Sequence, residues 1–170
     1  MEQDMRMMIE EEEIKRRVKE LGKTIGEFYS GKNPLVVGVL KGAFIFIADL
    51  IREMEIPCEV DFIDVKYYGG KEPGMKVRIE RDIKYPVEGR NVLLVDTVLD
   101  TGETLSFLVD HFKKLGASSV EVCVLLKKRK ERRKEIKPKW VGFEIPDVFV
   151  VGYGLDENES YRNARSIFQV

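Results

Sequence analysis

Val92-Leu93-Leu94-Val95-Asp96-Thr97-Val98-Leu99-Asp100-Thr101-Gly102-Glu103-Thr104-Leu105 decides the reading of this chain. An apolar run ends in carboxylates, small hydrogen-bonding residues turn the chain, and a helix begins. That order predicts acidic groups and free backbone N–H donors at the carboxyl end of a buried strand, where open α/β sheets bind ligands. The first N–H groups of a helix lack intrahelical acceptors and carry partial positive charge, so they suit a phosphate monoester. Gly102 permits close backbone approach, and the hydroxyls of Thr101 and Thr104 add donors. Asp96 is positioned to accept from sugar hydroxyls or to hold Mg²⁺ through water. A plainer reading has Asp100 or Thr101 merely capping the helix, with Glu103 as capping-box partner. It leaves unexplained a second carboxylate directly after four apolar residues. The pattern G-x-x-x-x-G-K-[ST] of ATP-binding loops is absent. The expected ligand is phosphorylated and bears hydroxyls.

Outward from this stretch, strands and helices alternate. Residues 8–29 predict an amphipathic helix, with Ile9, Ile14, Val18, Leu21, Ile25 and Phe28 at helical spacing. Leu35–Leu40 suits a buried parallel strand. Lys41-Gly42 breaks the chain, and a helix resumes over 43–54. Strands are expected at 58–65, 77–80, 92–96, 120–126 and 148–152, and a helix over 104–115 closed by Gly116. Residues 66–76 carry Gly69, Gly70, Pro73 and Gly74 and predict a long mobile loop of the kind that serves as a lid. The basic run 127–139 predicts an irregular excursion. The whole predicts one α/β domain with a mainly parallel sheet and right-handed crossovers.

The totals exclude several classes. The 170 residues fit one domain with a real core. A net charge of −1 makes the chain as a whole no binder of polyanions. Cys58 and Cys123 sit in apolar, strand-like surroundings, which predicts buried, reduced thiols and a cytoplasmic protein. No C-x-x-C or His cluster suggests structural zinc. The N-terminus is no signal peptide, and no run approaches membrane-spanning length.

The central stretch resembles the phosphoribosyl-pyrophosphate signature of the type I phosphoribosyltransferases. Three further stretches resemble the 6-oxopurine (hypoxanthine–guanine) members of that family. They are Val39-Leu40-Lys41-Gly42-Ala43, Val141-Gly142-Phe143-Glu144-Ile145-Pro146-Asp147, and Phe149-Val150-Val151-Gly152-Tyr153-Gly154-Leu155-Asp156. The resemblance implies a mainly parallel twisted sheet flanked by helices, with a small C-terminal hood over about 127–170. It also implies a reaction in which a purine base displaces pyrophosphate from C1 of the ribose, with Mg²⁺ as cofactor.

The site residues follow from the same resemblance. Asp100 corresponds to the general base at purine N7, residues Thr101, Gly102, Glu103 and Thr104 to the phosphate cradle, and Asp96 to the acid that binds ribose hydroxyls. Lys41 and Gly42 correspond to the pyrophosphate loop, where the Leu-Lys peptide can be cis, and Arg162 to an arginine that reaches pyrophosphate. Lys128 corresponds to the lysine on purine O6, Phe149 to the stacking aromatic, and Val150 to the backbone group that reads the base edge. Asp156 corresponds to a carboxylate near a second Mg²⁺ and the purine. Plainer roles stand beside these: a solvated Lys41 and Lys128, strand core for Phe149 and Val150, a loop-capping Asp156, a surface Arg162.

Two positions depart from the family pattern. Tyr67 and Tyr68 stand at the lid where Ser-Tyr is typical. Asp96-Thr97 stands where two adjacent acids are usual. Thr97 can still hydrogen-bond a ribose hydroxyl but adds no charge, so weaker sugar or Mg²⁺ anchoring is expected. The family assembles into dimers or tetramers, with the first helix and the segment around Lys41 as candidate interfaces. The rival from another class is a phosphoribosyl-pyrophosphate-sensing regulator that binds RNA through the nine Lys and Arg of 127–139. Within the enzymes, adenine or pyrimidine specificity is the alternative, and a lysine aimed at O6 argues against it.

Overall fold

The computed structural model describes residues 4–68 and 76–170. Nine strands and three helices follow the order β1 (Arg6–Ile9), α1 (Glu11–Phe28), β2 (Leu35–Leu40), α2 (Phe44–Met54), β3 (Glu59–Tyr68), β4 (Lys76–Arg81), β5 (Asn91–Leu99), α3 (Glu103–Lys114), β6 (Ser119–Lys128), β7 (Trp140–Ile145), β8 (Val150–Val151) and β9 (Ile167–Gln169) among the described residues. The main sheet runs β4-β3-β2-β5-β6-β7. Every pair in it is parallel except β3–β4 at one edge. The α/β class and the mainly parallel sheet match the sequence reading.

Alternation along the strands builds two cores. Val36 of β2 and Leu93 and Val95 of β5 face the buried residues of α1 and α2, such as Val18, Ile25, Phe46 and Leu50. Leu35 and Val37 of β2, with Val92 and Leu94 of β5, face Leu105, Leu108 and Phe112 of α3. Burying each such side chain contributes about 1.5–3 kcal/mol, so both faces of β2 and β5 demand apolar residues. This is why their sequences read as continuous apolar runs rather than alternating ones. Helices α1 and α2 meet closely because Gly26 has no Cβ; one placed there would strike the carbonyl oxygen of Met54.

Several boundaries differ from the sequence reading. The first helix starts at Glu11, not residue 8, because Arg6–Ile9 pairs antiparallel with Ile167–Gln169 and becomes a strand. The Glu11 N–H is capped by Ser166 Oγ from the far end of the chain at 3.0 Å. Strand β5 continues through Leu99, since its ladder with β6 persists to Leu99↔Lys127. Trp140–Ile145 is an additional strand at the sheet edge, so this part of the expected hood belongs to the main sheet. Arg17 of α1 fastens it by donating to the carbonyls of Val141 and Gly142 at 2.9 and 2.8 Å. The hood proper is the small sheet β1-β9-β8, which borrows its outer strand from the N-terminus. Of the expected lid 66–76, residues 66–68 extend β3, Lys76 opens β4, and 69–75 lie outside the described residues.

Both cysteines are free thiols; Cys123 is buried and Cys58 half-buried, and burial pushes the pKa of each up. No helix among the described residues is long and apolar enough to cross a membrane.

Candidate active site

Neighbouring strands β2 and β5 run parallel, but their following helices lead to opposite sides of the sheet order: β2 to β3, β5 to β6. Their carboxyl ends therefore part at a topological switch point, the place where such sheets open a ligand crevice. The loop Lys41-Gly42 leaves β2 there, and Asp96 through Thr104 leave β5 beside it. The Leu40–Lys41 peptide is cis. Thr97 joins the two loops: its Oγ1 donates to the carbonyl of Gly42 at 2.9 Å.

Asp100 is held by two ammonium groups. Lys128 Nζ lies 3.0 Å from Oδ2 and Lys130 Nζ lies 2.6 Å from Oδ1. Both lysines also approach Asp147 Oδ1, at 3.9 and 3.4 Å. Burial alone would raise the Asp100 pKa, but hydrogen bonds from Lys130 and Lys128 outweigh it and hold the group below the usual carboxylate range. Arg132 secures the arrangement through the backbone. Its Nε donates to the Asp100 carbonyl at 3.0 Å, and its two terminal nitrogens reach the carbonyls of Lys130 and Lys128. After Lys128 the basic run is an irregular excursion, as expected, but not all of it is solvated. It folds back on the central motif, and Lys128 is almost fully buried.

The turn expected to cradle phosphate borders a small cavity of about 100 Å³ through Thr101, Gly102 and Thr104, with Tyr67, Asp96 and Asp100 on its other walls. Gly102 has φ +83°, and a Cβ there would strike the carbonyl oxygen of Lys134. Glycine is therefore required twice, for conformation and for room. The N-cap is Gly102, not Asp100 or Thr101, and it offers no side chain; the Thr101 hydroxyl, one residue earlier, accepts the Glu103 N–H at 3.3 Å. The Tyr67 hydroxyl hydrogen-bonds Thr104 Oγ1. Burial pushes the Asp96 carboxyl up to about 7, against the pull of the Thr97 N–H on Oδ1 at 2.8 Å.

A second cavity of about 250 Å³ adjoins Asp100. Val98, Lys128, Phe149, Val150, Leu155 and Asp156 complete its lining. Phe149 is 51% exposed and lines this cavity. The Val150 side chain is core. A larger concavity, about 720 Å³, lies elsewhere, between α1 and α2, and is lined mainly by ionised side chains of both signs. The chemistry-bearing groups converge on the two smaller cavities.

The comparisons agree with this geometry. Residues 7–158 match the model of the phosphoribosyl transferase domain. The chain belongs to the phosphoribosyltransferase family. It is 46% identical over 159 residues to the hypoxanthine-guanine phosphoribosyltransferase of Bacillus subtilis, spanning 93% of this chain and 88% of that one. The enzyme of the same name from Aquifex aeolicus is 43% identical, with 98% and 94% covered. A crystal structure of a hypoxanthine-guanine phosphoribosyltransferase from Bacillus anthracis superposes with a TM-score of 0.90 at 39% identity, covering 96% and 97% of the two chains.

For this phosphoribosyltransferase, several residues sit differently from the sequence reading. Thr97 is fully buried and its hydroxyl is spent on Gly42, so it is turned away from any sugar. Neither Thr97 nor Glu103 borders the phosphate cavity. Asp156 caps its own loop, accepting the Glu159 N–H at 2.8 Å and pairing with Arg162 at 3.3 Å. Arg162 turns inward to the Gly154 carbonyl at 2.8 Å and to Glu159 at 3.0 Å. Lys41 reaches the same Glu159 carboxylate at 3.0 Å. Tyr68 is exposed, with the Arg78 guanidinium 5.7 Å from its ring centre.

Sequence reasoning missed Lys130, Arg132 and Asp147. A signal for Lys130 existed: it stands two residues after Lys128, and residues two apart on extended chain share a face. Arg132 and Asp147 act through backbone and loop geometry, for which the sequence carries no periodic sign.

Proposed function

We propose that this phosphoribosyltransferase transfers the 5-phosphoribosyl group from phosphoribosyl pyrophosphate to hypoxanthine or guanine. The products are IMP or GMP and pyrophosphate, which makes it a purine salvage enzyme. One observation carries the reading: Asp100 stands between a phosphate-sized cavity of hydroxyls and backbone donors and a cavity walled by Phe149 and Lys128. A carboxylate paired with a lysine suits the N7 and O6 edge of a 6-oxopurine. Adenine presents an amino donor where the lysine needs an acceptor.

In this reading the purine stacks on Phe149 and Lys128 turns to O6. Asp100 accepts the N7 proton as the ring nitrogen N9 forms its bond to C1. The C1–oxygen bond to pyrophosphate breaks, and the electron pair leaves with it. Orientation and electrostatics supply the acceleration, and no covalent nucleophile is required. Mg²⁺ suits the hard oxygen donors of the site, and such ions are held by one or two carboxylates plus substrate phosphates. Asp96, whose carboxyl borders the phosphate cavity, would hold it, with Asp156 as a second carboxylate once released from its loop. When bound, the ion neutralises charge on the leaving pyrophosphate.

We further propose that the described fold works as one phosphoribosyltransferase domain, in the cytoplasm, as a homodimer or tetramer. Against the RNA-binding alternative stands the commitment of Lys128, Lys130 and Arg132 to Asp100, although Arg129, Lys134 and Lys137 of the same run are exposed. The test is a product assay with phosphoribosyl pyrophosphate, Mg²⁺ and, separately, hypoxanthine, guanine, xanthine, adenine and uracil. Mononucleotide is expected from the 6-oxopurines, with kcat falling about 10²–10⁴-fold in Asp100→Asn. No product with any base overturns the reading.

A further inference from the structure

We infer that Lys130 is the positioning residue of the proton-accepting carboxylate, staying on Asp100 Oδ1 while Lys128 leaves Oδ2 for the purine. The inference rests on the purine-transfer reading above and assigns the two lysines different tasks. It starts from a conflict in the geometry. Each carboxylate oxygen of Asp100 already holds one ammonium, at 2.6 and 3.0 Å. Each oxygen keeps a second lone-pair site, but a lysine that turns to O6 of a base stacked on Phe149 must give up its place on the carboxylate, so the two lysines cannot both keep their positions when the base arrives.

The surroundings decide which. Lys128 borders the 250 Å³ cavity together with Phe149 and Val150, and Lys130 does not. A base stacked on Phe149 therefore meets Lys128. The Lys128 stem is buried in β6, so its head can swing between Asp100 and the cavity without moving backbone. Lys130 is tethered from behind. Arg132 donates to its carbonyl at 3.2 Å and to the Asp100 carbonyl at 3.0 Å, which fixes the two residues relative to each other.

The departure of Lys128 would leave a half-buried carboxylate with one counter-charge fewer, and desolvation favours its neutral form. A neutral Asp100 cannot take the proton. Lys130, at the shorter distance, keeps the group ionised and fixes the carboxylate plane so that Oδ2 faces the base. The other charged or titratable groups around Asp100 are Arg132 on the basic segment, Asp147 before β8, Asp96 on the same strand, Tyr67 on β3 and Asp156 across the cavity. Of these, Asp147 touches both lysines and Arg132 meets only the backbone. Lys130 is thus the one cation, besides Lys128, on the Asp100 carboxylate among the described residues.

The test compares Lys130→Met, Lys130→Gln and Lys130→Arg with the wild-type enzyme from about pH 3 to pH 9, a range that includes ordinary carboxylate titration. In the Met and Gln variants the acid limb of kcat with hypoxanthine, which reports the enzyme–substrate complex after Lys128 has left Asp100, is expected to move up by about one pH unit. Near neutral pH, kcat should fall about tenfold while KM for hypoxanthine changes less than about twofold. Arginine should restore the limb, since it keeps a cation on Oδ1. An unmoved acid limb overturns the inference, and so does a raised KM at unchanged kcat, which would make Lys130 part of purine recognition. Wild-type protein inactive with every base would instead sink the purine reading. In that event ¹³C NMR titration of the Asp100 carboxyl still judges the contact: it should titrate at higher pH in Lys130→Met, and an identical titration overturns the inference.

Discussion

The Thr97 hydroxyl and the Gly42 carbonyl, 2.9 Å apart, are the direct link between the two loops that part at the switch point. One belongs to the strand that delivers Asp96 and Asp100, the other to the loop after β2. Thr97→Val keeps the shape but leaves a buried carbonyl without its donor. The cost expected is about 1–3 kcal/mol, read as a lower urea midpoint, with a several-fold higher KM for phosphoribosyl pyrophosphate as the loop loosens. Thr97→Asp, which the family pattern suggests as an improvement, should do worse. It buries a carboxylate whose oxygens can only repel the Gly42 carbonyl unless it stays protonated. Unchanged stability and KM in Thr97→Val would refute the tether.

Glu159 bridges Lys41 and Arg162, the two cations the family resemblance assigns to pyrophosphate. Its carboxylate is pulled below the usual range by Arg162 first and Lys41 second. The pairs are exposed, so each is worth little in stability. On the pyrophosphate role that the resemblance implies for these cations, the pairing is competitive: Glu159 occupies the charges an incoming anion would use. Glu159→Gln should leave the melting temperature almost unchanged and tighten pyrophosphate binding about two- to fivefold, measured by calorimetry. Weaker binding in the variant would show that Glu159 organises the loop rather than competing for its cations.

The boundary between what can and cannot be read from sequence is physical. Leu35–Leu40 is legible because burial on both faces demands an unbroken apolar run, and Pro34 and Lys41-Gly42 bound it. The turn into α3 is legible because Gly102 and its small polar neighbours act through local backbone. Arg6–Ile9 is not, since this short segment becomes a strand only through partners at 167–169. Thr97 resists reading for a related reason: which way it faces depends on a loop 55 residues away. The charge run 127–139 reads as solvated because composition does not reveal that Lys128 and Lys130 close on one carboxylate.

Asp96 sets a pH dependence. Burial raises its pKa in the fold to about 7, against about 3.9 unfolded. Its contribution to stability is therefore fully present below about pH 4 and is lost as pH rises from there through about 7, because the unfolded chain releases the proton more readily. Part of the residue meets solvent at the cavity rim, which limits the loss to about 1–2 kcal/mol. Asp96→Asn should abolish it. The variant's urea midpoint should exceed that of the wild type at about pH 8 and match it near pH 4, while its affinity for phosphoribosyl pyrophosphate falls. Equal midpoints at both pH values would show that Asp96 titrates normally.

Tyr67 brings a phenol to the phosphate cavity through its hydrogen bond with Thr104. Burial raises its pKa, against the pull of the Thr104 hydroxyl, so it remains a neutral donor at working pH. With Thr104 it forms a pair of hydroxyls converging on the space a phosphate would fill. A hydrogen bond to a charged group is worth about 1.5–3 kcal/mol, so Tyr67→Phe should raise KM for phosphoribosyl pyrophosphate about tenfold or more. KM for hypoxanthine should hardly change, because the cavity at Phe149 proposed for the purine is a separate one, meeting this cavity at Val98 and Asp100. Steady-state kinetics with each substrate varied in turn separates the outcomes. A lower KM for phosphoribosyl pyrophosphate in Tyr67→Phe would mean that the phenol obstructs the cradle, and that the tyrosine at this position slows entry rather than binding the phosphate.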